Sequence, residues 1–383
     1  MSATDVYADD FSCSFTQENE LLGFLRDVEN TSVWSRTKSR ALRFIALEKD
    51  TKLANDLQMQ YESVKKGGVI SDTLDNTCLL LQADSQAYLV RNCAIKTILE
   101  RARISGNALN KVKKPVLADI LNHCLDVATG DALLRICEEK VSAVHGGDSS
   151  DYAILEMPAL LERTADYLNT NFPGCKFVGG FFDHAMFSAI WEFSGYEILL
   201  KTYKDALAIH SIHVDEMELK PALRLSSSDV GISGANLYPT LFTGRGRIIT
   251  LGSPLKLEHK VGATLSRFDD QLAMIYSQYQ HALGSLTNLL KIDINNPINC
   301  MGGVMKRIGV TKRLAFEAME LFKAQHNIDF CTAHDIYYGI SEVIFMLQCD
   351  GASGTKLVQM EETVARALSV RWTDYDMPGE FKW

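Results

Sequence analysis

Apolar positions recur at helical spacing through most of residues 16–150. Leu21, Leu22, Phe24 and Leu25 follow Thr16 and Glu20, residues 39–60 continue the pattern, and Leu79, Leu80, Ala83, Ala87, Leu89 and Val90 repeat it within 78–103. Gly67-Gly68 interrupts. Pro115 suits the first turn of another helix, which Gly130 closes. The pattern predicts an N-terminal helical region over residues 1–135.

From about residue 140 the period shortens. Residues 141–157 read as two short strands around a polar turn, and 158–172 as a helix opened by Pro158. Residues 176–193 read as a hairpin bent at Asp183-His184, 195–214 as helix giving way to strand, and 237–251 as a hairpin around Gly244-Arg245-Gly246. A central mixed β-sheet of about five to seven strands is expected over residues 136–262.

After Val261 helices return. Leu265, Phe268, Leu272, Ile275, Tyr279, Ala282, Leu286 and Leu289 step alternately by three and four, as in a heptad seam. One flank carries Tyr276, Leu283 and Leu290, so the stripe is wider than a dimer seam needs and favours a core helix. Helices at 296–309, 311–326 (Thr311 at its cap), 334–349 and 356–372 follow. The aromatic tail with Trp372, Tyr375, Phe381 and Trp383 is expected to dock. The fold class is therefore α+β: a central mixed sheet flanked by the N-terminal helical region and a C-terminal helical bundle, residues 263–383.

Composition narrows the class further. The chain has 383 residues, 46% hydrophobic, enough for a substantial core. No stretch is apolar enough to span a membrane, and the acidic first 15 residues do not form a secretory signal, so a cytoplasmic protein without a membrane partner is expected. The nine cysteines are scattered without a C-x-x-C pair, the pattern of reduced thiols. Net charge is −9 and evenly spread, so nucleic-acid binding would require local patches.

Candidate chemistry is sparse. His210, His213, Asp215 and Glu216 form a loose metal-like cluster, but strand geometry would turn the two imidazoles to opposite faces. His326, Cys331, His334 and Asp335 need a further ligand such as Cys300 or Cys349 for zinc, whereas Asp335 is well placed to cap a helix. The chain has no nucleophile elbow, phosphate loop or dinucleotide fingerprint, and no catalytic residue or cofactor is assigned.

Two basic patches remain. Arg91, Lys96, Arg101, Arg103, Lys111, Lys113 and Lys114 stand against Glu100 alone; Arg245, Arg247, Lys256 and Lys260 stand against Glu258. Such cations suit a phosphate backbone, with His259 or Tyr238 available to stack on bases. A solvated helix face and a hairpin turn explain the same residues.

The polar segment from Ser227 to Gly231, the hairpin with its basic turn, and Leu257-Glu258-His259-Lys260-Val261-Gly262 leading into a long helix resemble a phage/plasmid-like protein family of unknown function, over about residues 135–290. Where that family often carries a C-x-N turn, this chain has Thr250-Leu251-Gly252-Ser253. The resemblance implies a setting in replication, recombination or maintenance of mobile elements. The leading expectation is a non-enzymatic protein that binds DNA, single-stranded in particular. The alternatives are a self-associating assembly protein, with the 265–289 helix and the tail at homo-oligomer contacts, and a metal-dependent hydrolase.

Overall fold

The computed structural model describes residues 6–148, 151–212, 219–243, 247–252, 254–326 and 330–383. It is α+β, built on two large sheets and, among the described residues, one two-stranded pair. The chain begins with β1 (Ser12–Phe15), α1 (Glu18–Asn30), β2 (Ser32–Lys38), β3 (Arg43–Ala46), α2 (Lys52–Ser63) and α3 (Gly67–Asp75). There follow β4 (Leu79–Ala83), β5 (Gln86–Val90), α4 (Ile95–Arg101), α5 (Lys114–Asp126), β6 (Asp131–Cys137) and β7 (Lys140–Gly146). Strands β2-β6-β7-β5-β4-β3 form a six-stranded sheet in which only β5 and β7 pair in parallel. Helices α4 and α5 cover one face through Ile98, Leu117, Leu121 and Leu125, and α2 and α3 enclose a smaller core around Val69, Ile70 and Leu80.

The N-terminal region is thus not a helical domain, and the boundary expected at 135/136 falls inside β6. The run Leu79–Ala83 is buried nearly throughout, so its apolar positions carry no alternation that distinguishes a strand from a buried helix. Asp84 turns the β4–β5 hairpin at φ 53°, and Glu138 and Glu139 turn β6–β7 at 51° and 65°. None of these three is glycine, which removes the usual hairpin signal.

The second sheet uses β1 with β8 (Lys176–Asp183), β9 (Met186–Glu192), β10 (Lys220–Ser227), β11 (Ala235–Thr243), β12 (Arg247–Thr250) and β13 (Leu255–Leu257). All of its pairings are antiparallel, in the order β1-β8-β9-β10-β11-β12, with β13 on β11. The Asp183-His184 hairpin is as expected: Asp183 Oδ1 accepts from the N–H groups of Ala185 and Met186 at 2.9 Å. Helix α6 (Met157–Asn171) has Pro158 in its first turn, and α7 (Lys201–Ile209) precedes β10.

The C-terminal helices are α8 (Leu265–Leu272), α9 (Ile275–Leu289), α10 (Pro297–Ile308), α11 (Lys312–Gln325), α12 (Ala333–Cys349) and α13 (Gly354–Ala365), with short β14 (Asp293–Ile294) and β15 (Cys331–Thr332) pairing before α10 and α12. The heptad stripe breaks at Ala273-Met274. Its members from Phe268 to Leu289 are buried in the chain's own core, and Tyr279 Oη donates to the Thr240 carbonyl. They cannot also form an oligomer seam. The tail docks: Trp372 is buried, Asp376 accepts from the N–H groups of Asn295 and Asn296 at 3.0 and 2.7 Å, and Phe381 lies over Gly302. Among the described residues no helix is long and apolar enough to cross a membrane.

Candidate functional site

Strand alternation gives the seven-stranded sheet two unlike faces. Phe187, Ala189, Trp191, Leu223, Leu225, Leu237 and Leu241 enter the large hydrophobic core. The register of β9, β10, β11 and β12 places Ser188, Arg224, Ser226, Asn236, Tyr238, Thr240 and Thr250 on the other side, towards α13. There Arg224 pairs with Glu361 at 2.9 Å and donates to Ser188 Oγ at 3.3 Å, Thr250 Oγ1 donates to Glu361 at 3.1 Å, and Tyr238 Oη donates to Glu362. Tyr238 is 1% exposed, so it is unavailable to stack on a base.

The segment after β10 joins the two sheets. Ser228 Oγ donates to the Ala185 carbonyl at 2.6 Å, and Lys96 reaches the Gly231 carbonyl at 2.7 Å. Arg135 of β6 lies between Glu29, at 2.8 Å, and Asp229, at 3.3 Å, with its guanidinium 5.0 Å from the Trp34 ring centre. Burial pushes both carboxyls upward against the opposing pull of Arg135. His145 stacks on Tyr152 at 3.8 Å and donates from Nε2 to the Asp229 carbonyl, 2.7 Å away; Tyr152 stacks in turn on His259 at 5.2 Å. Burial lowers His145 to about 4.

His259 is correspondingly enclosed. Its Nε2 is 3.2 Å from Ser227 Oγ and its Nδ1 is 3.1 Å from the Ala153 carbonyl. The Ser227–His259 pair has the donor pattern of a nucleophile and base, but Ser227 has no exposed surface for a substrate to reach. The polar stretch from Ser227 to Val230 is a buried joint, and His259, buried beside it, is not a base-stacking residue.

The expected cations divide. Arg245 and the Arg247 side chain lie outside the described residues. Lys256 pairs with Glu258 at 3.0 Å and Lys260 pairs with the same carboxylate, whose pKa these two ammonium groups depress to about 2. Glu258 therefore offsets one of the two lysine charges of the hairpin patch. Arg91 turns inward to Tyr7 and Asp9, and Arg101 donates to Ser39 Oγ at 2.6 Å and to the Thr129 carbonyl. Arg103, Lys111 and Lys113 are exposed and Lys114 half-buried, and none forms an ion pair among the described residues.

One cleft brings the two patches together. A space of about 600 Å³ between α4, the end of β7 and the 260–261 loop is lined by Arg101 and Lys260, with Thr97, His145, Glu100 and Asp151. Sequence spacing gave no sign that residues 159 positions apart would meet there, because the joint that unites them is made of long-range pairs.

The metal-like clusters resolve differently. His213, Asp215 and Glu216 lie outside the described residues, and His210 sits at the end of α7 rather than in a strand. Asp335 forms a capping box with Thr332, as expected, and His334 Nε2 lies 2.7 Å from Tyr203 Oη. Cys300 Sγ faces the Trp372 carbonyl at 3.6 Å, and His326 stacks on Phe322 at 4.4 Å. Among the described residues no group of three or more His, Cys, Asp or Glu side chains could hold a metal ion.

Comparison of the chain with protein-family models, with curated proteins and with solved structures finds no match.

Proposed function

We propose that the protein binds the phosphate backbone of a single-stranded nucleic acid without acting on it chemically, in the mobile-element setting that its resemblance to phage/plasmid-like proteins implies. The observation that carries this reading is the run of unpaired cations from Arg103 through Lys111 and Lys113 to Lys114, adjoining in sequence the cleft residue Arg101. Phosphates attract such a strip because each contact releases condensed counterions. The cleft offers a place where a strand would pass from the strip to Lys260. Its walls also hold Glu100 and Asp151, so bound phosphates would lie along the rim rather than at the floor.

Anisotropy titrations of a labelled single-stranded oligonucleotide and its duplex, from ~50 to ~200 mM salt, test the reading. Affinity should fall linearly with salt on logarithmic axes, more steeply for wild type than for Lys111→Glu/Lys113→Glu. A flat titration at the lowest salt overturns it.

A further inference from the structure

A larger cavity lies elsewhere, between the polar face of the seven-stranded sheet and the α12–α13 pair, with a volume of about 800 Å³. We propose that it binds an uncharged amphipathic molecule, an apolar body ending in a carbonyl-type acceptor.

The size suits a small ligand, for which pockets run from about 300 to 1,000 Å³. The walls are mixed: Phe181, Ile190 and Ile248 from the sheet and Ile344, Leu357 and Val358 from the helices are apolar, while Ser341, Glu342 and Gln348 of α12 add a polar edge. A few polar groups converge at one place, Arg224, Ser188 and Glu361. Both Glu361 oxygens are engaged, Oε1 by Arg224 and Oε2 by Thr250. Arg224 is 5% exposed, and its Nε–H has no partner among the described residues. An unpaired buried donor is costly, and an acceptor on a ligand would relieve it.

The same pair sets the ligand's charge. Glu361 already balances the Arg224 guanidinium at 2.9 Å, so the floor has no net positive charge for an anion. A carboxylate or phosphate would have to sit beside Glu361, where like charges in a desolvated site repel. A ketone, ester or amide oxygen satisfies the donor without that conflict. The sheet wall is also opened by Gly179: a Cβ there would meet only the Phe15 carbonyl, at 3.4 Å, so a larger side chain has room to enter the cavity.

Nile red, an uncharged planar dye with a carbonyl acceptor and polarity-sensitive emission, is the probe. Saturable binding of one dye per chain with a blue-shifted emission is expected. Gly179→Leu and Ser341→Leu, which fill the cavity from opposite walls, should each weaken binding about tenfold or more while retaining native circular dichroism. 2-Decanone should displace the dye and decanoate should not. In wild-type protein with labelled methyls, the Ile190 and Ile344 resonances should shift on dye addition, a readout that requires no variant. Unmoved Ile190 and Ile344 methyls, unchanged affinity in a folded filling variant, or equal displacement by decanoate would each overturn the assignment.

Discussion

Arg224 of β10 and Glu361 of α13 form an ion pair at 2.9 Å with both side chains almost wholly withdrawn from water, 6% and 7% exposed. The pair fastens the last long helix to the middle of the seven-stranded sheet. Breaking one side leaves a buried charge without its counter-charge, which costs about 3–5 kcal/mol; replacing both with apolar groups of similar volume is often neutral. Glu361→Ala should therefore lower stability by about that amount, and the double variant Arg224→Met/Glu361→Leu should recover most of it. Urea midpoints of the three proteins check this. A single variant as stable as wild type would show that the pair is hydrated rather than buried.

His145 and His334 give the fold an acid-sensitive range. Burial holds each at about 4, opposed at His145 by its bond to the Asp229 carbonyl and at His334 by the Asp335 charge. In the unfolded chain both would titrate near 6.5. Between pH ~6.5 and ~4 the unfolded state binds more protons than the folded state, so stability falls as pH falls through that window. Each imidazole accounts for a loss of about 3 kcal/mol at most. Chemical denaturation at pH 7, 6, 5 and 4.5 should show the decline, and His334→Gln, which keeps a partner for Tyr203, should flatten it. A slope unchanged by that substitution would place the acid sensitivity elsewhere.

How much of this was legible in the sequence depended on whether the signal was local. Pro158, the Asp183-His184 bend, the Thr332–Asp335 cap and the stripe from Phe268 to Leu289 each rest on neighbours within a turn or two, and each is found as expected. Strand β4 was not legible, because residues buried on both faces lose the alternation that identifies a strand; in β5 the exposed first half leaves only Leu89 and Val90 buried, too few to show a period. The polar face was partly legible: Arg224 and Ser226, then Asn236, Tyr238 and Thr240, repeat at every second position. Nothing in that period says that α13, more than a hundred residues later, covers them. Counting charges likewise identified Lys256 and Lys260 as a basic patch but could not show that Glu258 bonds to both.

That last relationship yields a test of the binding surface. If the cations flanking Glu258 are withheld from a polyanion by their shared carboxylate, Glu258→Gln should release them. Single-strand affinity should rise severalfold at low salt, and the salt slope should steepen by about one to two phosphate contacts. Lys256→Ala/Lys260→Ala in the wild-type background should lower affinity only modestly, because Glu258 already offsets one of the two charges. An affinity and salt slope unchanged on removing Glu258 would mean that the hairpin takes no part in binding.

The tail offers the sharpest structural test. In α10, Gly302 and Gly303 leave no room for side chains: a Cβ on the first would fall 2.6 Å from the Phe381 ring, and one on the second 2.7 Å from the Tyr375 ring. Both lie within a helix and neither has positive φ, so their need for glycine is one of close approach rather than of backbone conformation. Alanine normally favours a helix over glycine by about 1 kcal/mol. Here Gly302→Ala and Gly303→Ala should destabilise instead, by displacing the rings and loosening residues 375–383. Limited proteolysis should then cleave the tail faster than in wild type, and truncation before Tyr375 should restore the ordinary preference for alanine. If Gly302→Ala stabilises the full-length chain, Phe381 does not pack on α10 in solution.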